Sequence, residues 1–210
     1  MKHIVLLGDS IFDNRAYTGS EPDVVTHLRA IIPDDWRATL CAVDGNLAEH
    51  VAGQLKNAPA DATHLVVSAG GNNAIMNADI LGLKTDSAAA VFDVLANRAG
   101  DFELHYRIML DAVAGRNLPA AVCTVYFPNF PDAAMQKIAT AALAAFNDVI
   151  IRLAVGRGLP VIDLRLVCDE PDDYANEIEP SGKGGRKIAA KIFEVVKDHD
   201  FSKNRTSFYY

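Results

Sequence analysis

A glycine, a carboxylate and a serine directly follow an apolar run near the start of the chain. The run His3–Leu7 is typical of a buried parallel strand, and Gly8, Asp9 and Ser10 come after it. Open α/β sheets place ligand chemistry just beyond the carboxyl ends of their strands. A serine at such a point can act as a nucleophile when a base and an oxyanion hole converge on it. The stretch therefore makes Ser10 a candidate nucleophile, provided that a base and an oxyanion hole are supplied from elsewhere in the chain.

The elements that would position these groups alternate between strand and helix. Five short apolar runs rich in Val, Ile, Leu or Thr are strand candidates: His3–Leu7, Trp36–Ala42, His64–Ser68, Ala120–Tyr126 and Pro160–Leu164. Helical patterns are expected over Pro22–Ile32, Leu47–Lys56, Ala88–Ala114 with a break near Gly100, Ala133–Val155 and Gly184–Lys197. This alternation predicts a three-layer α/β/α sandwich around a parallel sheet of about five strands.

The chain is expected to form one domain followed by a short tail. No linker, repeat or low-complexity tract interrupts residues 1–200, so these are expected to form a single domain. Residues 201–210 end in Phe208, Tyr209 and Tyr210. Three outcomes stay open for this tail: it docks on the body, it contacts a second subunit and so supports an oligomer, or it frays.

Charge and composition exclude several classes of partner. The chain has 20 basic and 27 acidic residues, a net charge of −7, which argues against a nucleic acid or an anionic membrane. No uninterrupted apolar run approaches the ~20 residues of a membrane span, so none is expected. The first strand begins at His3, which predicts a cytoplasmic protein. The three cysteines lack C-x-x-C spacing and are expected to be reduced.

No cofactor or metal is predicted. The chain lacks the G-x-x-x-x-G-K-[ST] and G-x-G-x-x-G phosphate-binding patterns. Four acidic residues cluster at Asp169, Glu170, Asp172 and Asp173, without the spacing of an EF-hand. A solvated acidic loop is favoured there over a divalent cation site.

Several blocks at the predicted strand ends resemble those of the SGNH/GDSL hydrolase family. Gly8-Asp9-Ser10-Ile11 resembles the first block, and Gly45 the glycine block. Gly70-Gly71-Asn72-Asn73 resembles G-x-N-D, with asparagine in place of aspartate. Pro180-Ser181 and the helix Gly184–Ala190 resemble the last block. These blocks span most of the chain in the family's order.

The resemblance implies a flavodoxin-like fold and a serine hydrolase acting on a small ester or acyl group. Ser10 would be the nucleophile. The backbone N–H groups of Ser10 and Gly45 and the side-chain amide of Asn72 would hold the oxyanion, which needs two or three preorganised donors.

The same resemblance exposes a departure at the catalytic base. The family's last block reads D-x-x-H, whereas here Asn176 stands at the aspartate position and Glu179 at the histidine position. The two changes are consistent, since a carboxylate beside Glu179 would repel it. Three roles stay open for Glu179: general base, inert ion pair with Lys183 or Arg186, or another part in binding. His50 is the one histidine considered as a substitute base.

Four further residues at this edge are candidate substrate-binding residues: Asp9, Asn14, Asn73 and Asn176. Asp9 is also expected to accept backbone hydrogen bonds around the turn that carries Ser10.

Two classes of function remain open on these residues, beside a general α/β domain whose polar edge serves another reaction. The first is hydrolysis of a small-molecule ester or acylated substrate through Ser10, with Glu179 as base. The second is a catalytically impaired protein that keeps Ser10, Gly45 and Asn72 as a polar pocket for an acyl or carbohydrate ligand. Fold alone does not choose between them.

Overall fold

A six-stranded parallel sheet forms the centre of the computed structural model, which describes residues 1–210. The strands are β1 (His3–Gly8), β2 (Arg37–Leu40), β3 (His64–Ser68), β4 (Ala120–Cys123), β5 (Val161–Ile162) and β6 (Phe208–Tyr209). Their order across the sheet is β2-β1-β3-β4-β5-β6. The first five strands follow the flavodoxin-like order, in which the direction of winding reverses between β1 and β3. Ligands are expected at this point.

Helices cover both faces of the sheet, so the predicted three-layer α/β/α architecture is confirmed. They are α1 (Val24–Ile31), α2 (Val51–Gln54), α3 (Gly71–Met76), α4 (Ala88–Ala114), α5 (Ala133–Gly156), α6 (Leu164–Val167) and α7 (Gly182–Asp198). Helices α1 and α7 pack on one face through residues such as Leu28 and Ile192. Helices α4 and α5 pack on the other through Phe102, Tyr106 and Phe146.

The structure differs from the sequence-based expectation in three elements. Helix α4 runs without a break through Gly100, which lies on its exposed side. The segment Gly71–Met76 is helical although it was expected only as a polar strand end. The tail adds a sixth strand, because Phe208 and Tyr209 pair with Val161 and Ile162 of β5. The sheet therefore extends through residues 201–210.

Gly8 lets the chain turn sharply at the end of β1. Its φ is +131°, and a Cβ there would lie 1.7 Å from the carbonyl oxygen of Ser68 on the neighbouring strand. Only glycine fits this close approach of two backbones. The turn directs Asp9 and Ser10 away from the strand at the winding reversal.

Helix α5 is long and apolar enough to cross a membrane by length and composition alone, with a mean hydropathy of 1.7 in its most apolar window. It holds no uninterrupted apolar run of that length, because Gln136, Lys137, Asp148 and Arg152 fall within it. In the structure its C-terminal half is packed in the core through residues that include Phe146, Ile150 and Leu153. A core helix of a water-soluble domain passes the same test, so this is weak evidence for a membrane span.

Candidate active site

A cleft of about 450 Å³ opens beyond the carboxyl ends of β1, β3 and β4, between α3 and the N-terminal halves of α4 and α5. Four of the sequence-predicted site residues line it: Asp9, Ser10, Asn72 and Glu179. Most of the remaining lining is apolar. The topology thus brings together a hydroxyl, two carboxyl groups and an amide that are distant in sequence.

Asp9 builds the turn that presents Ser10. Its Oδ1 accepts a hydrogen bond of 3.1 Å from the backbone N–H of Ile11. Its carbonyl oxygen accepts from Phe12 at 3.2 Å and Asp13 at 3.1 Å. The backbone N–H of Ser10 donates to no group of the protein. This N–H is therefore available to an oxyanion, as the resemblance implied.

The second oxygen of Asp9 has no partner. Asp9 is 1% exposed, and its Oδ2 is buried without a hydrogen bond. Burial raises the pKa of Asp9 to about 7, the N–H of Ile11 opposes the shift, and the charge of Glu179 adds to it. Asp9 therefore acts mainly as a structural group whose proton responds to the charge on Glu179.

Glu179 lies in the cleft as a buried carboxyl group without an ion-pair partner. It is 6% exposed, and its Oε2 has no hydrogen-bond partner. Burial raises its pKa from 4.5 to about 7, with an opposing contribution from the Ser10 hydroxyl and a reinforcing one from the charge of Asp44. Catalytic hydrogen bonds are often long before substrate binds, so an unsatisfied carboxyl beside a serine is compatible with a base.

The ion-pair alternative for Glu179 is wrong. Lys183 pairs with Glu170 and lies near Asp172, while Arg186 forms no ion pair. The acidic loop is neutralised by lysines of α7: Lys187 contacts Asp173 at 2.7 Å and Asp169 at 3.0 Å. No group of three or more potential metal ligands occurs in the structure.

Hydrogen bonds within one short loop fix the position of Glu179. Oδ1 of Asn176 accepts from the backbone N–H groups of Ile178 and Glu179, both at 2.9 Å. The hydroxyl of Tyr126 donates to the carbonyl of Ile178 at 2.7 Å. The backbone N–H of Ala175 donates to the carbonyl of Glu179 at 2.8 Å. The Glu179 side chain thus projects from a closed turn.

Asn14 ties this loop to the rest of the domain. It is fully buried, its Nδ2 donates to the carbonyl of Pro180 at 3.1 Å, and its Oδ1 accepts from the N–H of Val24 at 3.0 Å. Asn14 and Asn176, considered as substrate-binding residues, therefore use their amides to hold Glu179 and do not line the cleft.

The amide of Asn72 connects the cleft to the turn after β2. Its Nδ2 donates to the carbonyl of Asn46 at 3.0 Å, which leaves its second N–H free. Gly45 lies in the same exposed turn with φ +78°, and its N–H donates to no protein group. Gly45 is outside the residues that line the cleft, so the geometry supports two of the three expected oxyanion donors directly.

Asn73 has a different role from its neighbour. It is buried, its Oδ1 accepts from the N–H of Ala48 at 3.0 Å, and its Nδ2 donates to Glu49 at 3.1 Å. The expectation that Asn73 contacts substrate is therefore not met, because its polar atoms face the 3₁₀ turn Ala48–His50 and not the cleft.

None of the six histidines lines the cleft. His50, the considered substitute base, is exposed and accepts a hydrogen bond of 2.9 Å from the N–H of Leu47. His3 is bonded to Asp61 and Thr39 at the opposite end of β1. An imidazole base from this chain has no place in the site.

Gln54 was not anticipated from the sequence. It is buried, exchanges hydrogen bonds of 2.8 and 2.7 Å with the N–H and C=O of Gly8, and donates to Asn46 at 3.1 Å. Gln54 thereby fixes the end of β1 relative to the turn that holds Gly45. Gln54 lies on a helix with no motif around it, so the sequence did not indicate this role.

A three-layer α/β domain of SGNH-hydrolase type is the class that this fold and site define. A family model described as the GDSL-like lipase/acylhydrolase family matches residues 6–187, and the chain belongs to that family of acyl ester hydrolases. No curated protein matches the chain.

Solved structures show the same fold at low sequence identity. The chain is similar to an extracellular lipase from Streptomyces rimosus (16% identity, TM-score 0.67, covering 89% of this chain and 96% of that one). It is similar to the lipase Lip_vut3 from a goat rumen metagenome (18% identity, TM-score 0.70, covering 91% of this chain and 96% of that one). It is also similar to a lipolytic G-D-S-L family protein from Veillonella parvula DSM 2008 (18% identity, TM-score 0.68, covering 95% of this chain and 100% of that one).

Proposed function

We propose that this protein hydrolyses carboxylic esters through Ser10, with Glu179 as the general base. The observation that carries the proposal is the pairing of groups in one cleft. Ser10 and Glu179 line the same apolar cavity, and Glu179 has a buried oxygen that no protein group satisfies. The family membership supports the reaction class.

The steps follow from these positions. Glu179 takes the hydroxyl proton of Ser10 as Oγ attacks the acyl carbon. The N–H of Ser10 and the amide of Asn72 stabilise the negative oxygen of the tetrahedral intermediate. Glu179 returns the proton to the departing alcohol oxygen, leaving an ester on Ser10. Water then attacks this ester, Glu179 takes the water proton, and the acid leaves as Ser10 regains it.

The raised pKa makes a carboxyl group useful in this role. A glutamate with a pKa near 4.5 is too weak a base to share a serine proton well, and a base works best near the ambient pH. Burial raises the pKa of Glu179 to about 7. We therefore expect kcat/KM to rise with pH through about 7, as Glu179 loses its proton.

The test is covalent labelling with a fluorophosphonate probe. Labelling of the wild type should be stoichiometric, absent in Ser10→Ala and slowed at least tenfold in Glu179→Gln. Glu177→Gln is the matched control, since Glu177 is exposed and two residues away. Equal rates for Glu179→Gln and the wild type would remove Glu179 as base. A folded wild type that neither labels nor cleaves esters would favour the catalytically impaired binding protein.

The temperature dependence of the pH profile identifies the chemical nature of the base. Ionisation of a carboxyl group absorbs little heat, whereas ionisation of imidazole absorbs much more. The midpoint of the rate profile should therefore stay nearly constant between 10 and 40 °C. A midpoint that falls steadily on warming, and disappears in His50→Ala, would assign the base to a histidine.

A further inference from the structure

The cleft beyond the catalytic groups is almost without polar side chains. Sixteen of its 24 lining residues are hydrophobic. Apart from the four groups around Ser10, the polar side chains are Asn77, Arg98 and Tyr126, whose hydroxyl is bonded to the carbonyl of Ile178. Asn77 donates to the carbonyl of Asn73 at 2.8 Å, and Arg98 pairs with Asp79 at 3.5 Å. A sugar needs several free hydrogen-bonding groups, and this cleft offers almost none beyond the reaction centre.

One stripe of α5 forms a wall of the cleft. Met135, Ala139, Ala142, Leu143 and Phe146 all line it, at helical spacing on one face. Leu143 is 8% and Phe146 3% exposed, so the cleft narrows against the core at this end. The N-terminal half of α5 therefore lines the cleft, and its C-terminal half packs mainly in the core.

The opposite wall comes from the segment between α3 and α4. Ile75, Ile80 and Leu81 line the cleft there, and Leu95 of α4 joins them. Ile75 and Leu81 are 48% and 42% exposed. Large aliphatic side chains that remain this exposed around a cavity indicate an apolar ligand.

Two alanines interrupt the large side chains of the α5 wall. Ala139 and Ala142 are half-buried and occupy adjacent turns, between Met135 and Phe146. An alanine leaves space that a leucine would fill. These two positions therefore leave room for an extended chain to run along α5, and larger side chains there would shorten the chain that fits.

We propose that the cleft binds an acyl chain of medium length, and that Ala139 and Ala142 set the accepted length. This rests on the proposed ester hydrolase function. A methylene group takes roughly the room of a water molecule, ~30 Å³. The cleft of about 450 Å³ therefore holds roughly fifteen such groups when filled, which suits an ester head with an acyl chain of about eight to ten carbons.

The first test is a series of p-nitrophenyl esters from acetate to palmitate. Each added CH2 should raise kcat/KM by about two- to fourfold up to the optimum, after which kcat/KM should fall. Ala139→Leu and Ala142→Leu should move the optimum to a chain at least two carbons shorter. Ala144→Leu is the matched control, because Ala144 is exposed and does not line the cleft, and its profile should equal that of the wild type.

A binding measurement separates failure of this proposal from failure of the hydrolase proposal. Ser10→Ala should bind 1-decanol at least about tenfold more tightly than 1-butanol by calorimetry, and Ala142→Leu in that background should abolish the preference. Neutral alcohols avoid repulsion by Asp9 and Glu179. If the wild type hydrolyses no ester but this preference is found, the acyl cleft stands and the hydrolase fails. Equal hydrolysis of acetate and decanoate, or unchanged profiles in both leucine variants, would overturn the acyl-length proposal alone.

Discussion

Asn14 donates a hydrogen bond of 3.1 Å from its side-chain amide to the backbone carbonyl of Pro180, 166 residues further along the chain. The same side chain accepts from the N–H of Val24 at the start of α1. One buried amide thus links the segment after Ser10, a sheet-covering helix and the turn that carries Glu179. Ser10 and Glu179 are held in a common frame through this residue.

Asn14→Ala should lower kcat more than it raises KM. The change leaves the Pro180 carbonyl and the Val24 N–H unpaired, so the free energy of unfolding should fall by about 1–3 kcal/mol. Asp23→Ala is the control, because Asp23 caps the same helix through Thr26 and makes no contact with the Glu179 loop. It should cost about 1 kcal/mol of stability and leave kcat unchanged. Equal losses of kcat in the two variants would show that Asn14 matters only for folding.

Glu179 should reduce stability at alkaline pH. Burial raises its pKa from 4.5 to about 7, so the folded state favours the protonated carboxyl. The contribution of the protonated Glu179 to the free energy of unfolding is complete below about pH 4.5 and is lost as the pH rises through 7. Glu179→Gln stays neutral and should unfold at pH 8 with a free energy up to about 3 kcal/mol higher than the wild type.

Urea denaturation at pH 4 and pH 8 checks this prediction. The two proteins should agree at pH 4, and Glu177→Gln should match the wild type at both values. Asp9 is present in all three proteins, but the charge of Glu179 raises its pKa, so the difference at pH 8 includes the coupling between the two carboxyl groups. A wild type as stable as Glu179→Gln at pH 8 would mean that Glu179 is not desolvated.

The adjacent asparagines should separate catalysis from stability. Asn72→Ala removes the proposed oxyanion donor and should lower kcat by about 10²–10³-fold. Asn73→Ala leaves the N–H of Ala48 unpaired and should cost about 1–2 kcal/mol of unfolding free energy with little change in kcat. Steady-state kinetics and denaturation of both variants provide the measurement. The assignment of the oxyanion donor would fail if Asn73→Ala lost as much activity as Asn72→Ala.

Restoring the residues of the family's last block should reveal coupling between positions 176 and 179. Glu179→His alone lacks an orienting carboxylate, and adding Asn176→Asp should raise kcat by roughly tenfold or more. Asn176→Asp alone keeps the acceptor for the Ile178 and Glu179 N–H groups but adds charge near Glu179. It should raise the midpoint of the pH–rate profile. A double-mutant cycle with no interaction energy would show that the two departures are independent.

The residue types in the sequence predicted the groups that meet around Ser10 better than they predicted the roles of the neighbouring polar residues. The apolar strands and their glycine-rich ends determined a parallel sheet and placed Ser10, Asn72 and Glu179 at one edge, because parallel strands end on the same side. Three other asparagines differ from Asn72 because their side chains form hydrogen bonds with backbone groups: Asn14, Asn73 and Asn176. Sequence could not separate these roles, since they depend on which carbonyl or N–H lies within 3 Å.

Only the tertiary structure decided three features: the lack of an ion-pair partner for Glu179, the sixth strand and the apolar cleft. Lys183 is four residues from Glu179, yet it turns to Glu170 on a loop that the fold brings alongside. Phe208 pairs with Val161 because the chain returns beside an open sheet edge. The cleft lies between α5 on one side and Leu95 and Ile75 on the other, where the small alanines of α5 leave space. Local patterns determine which residues are apolar or reactive, whereas long-range packing determines what each one contacts.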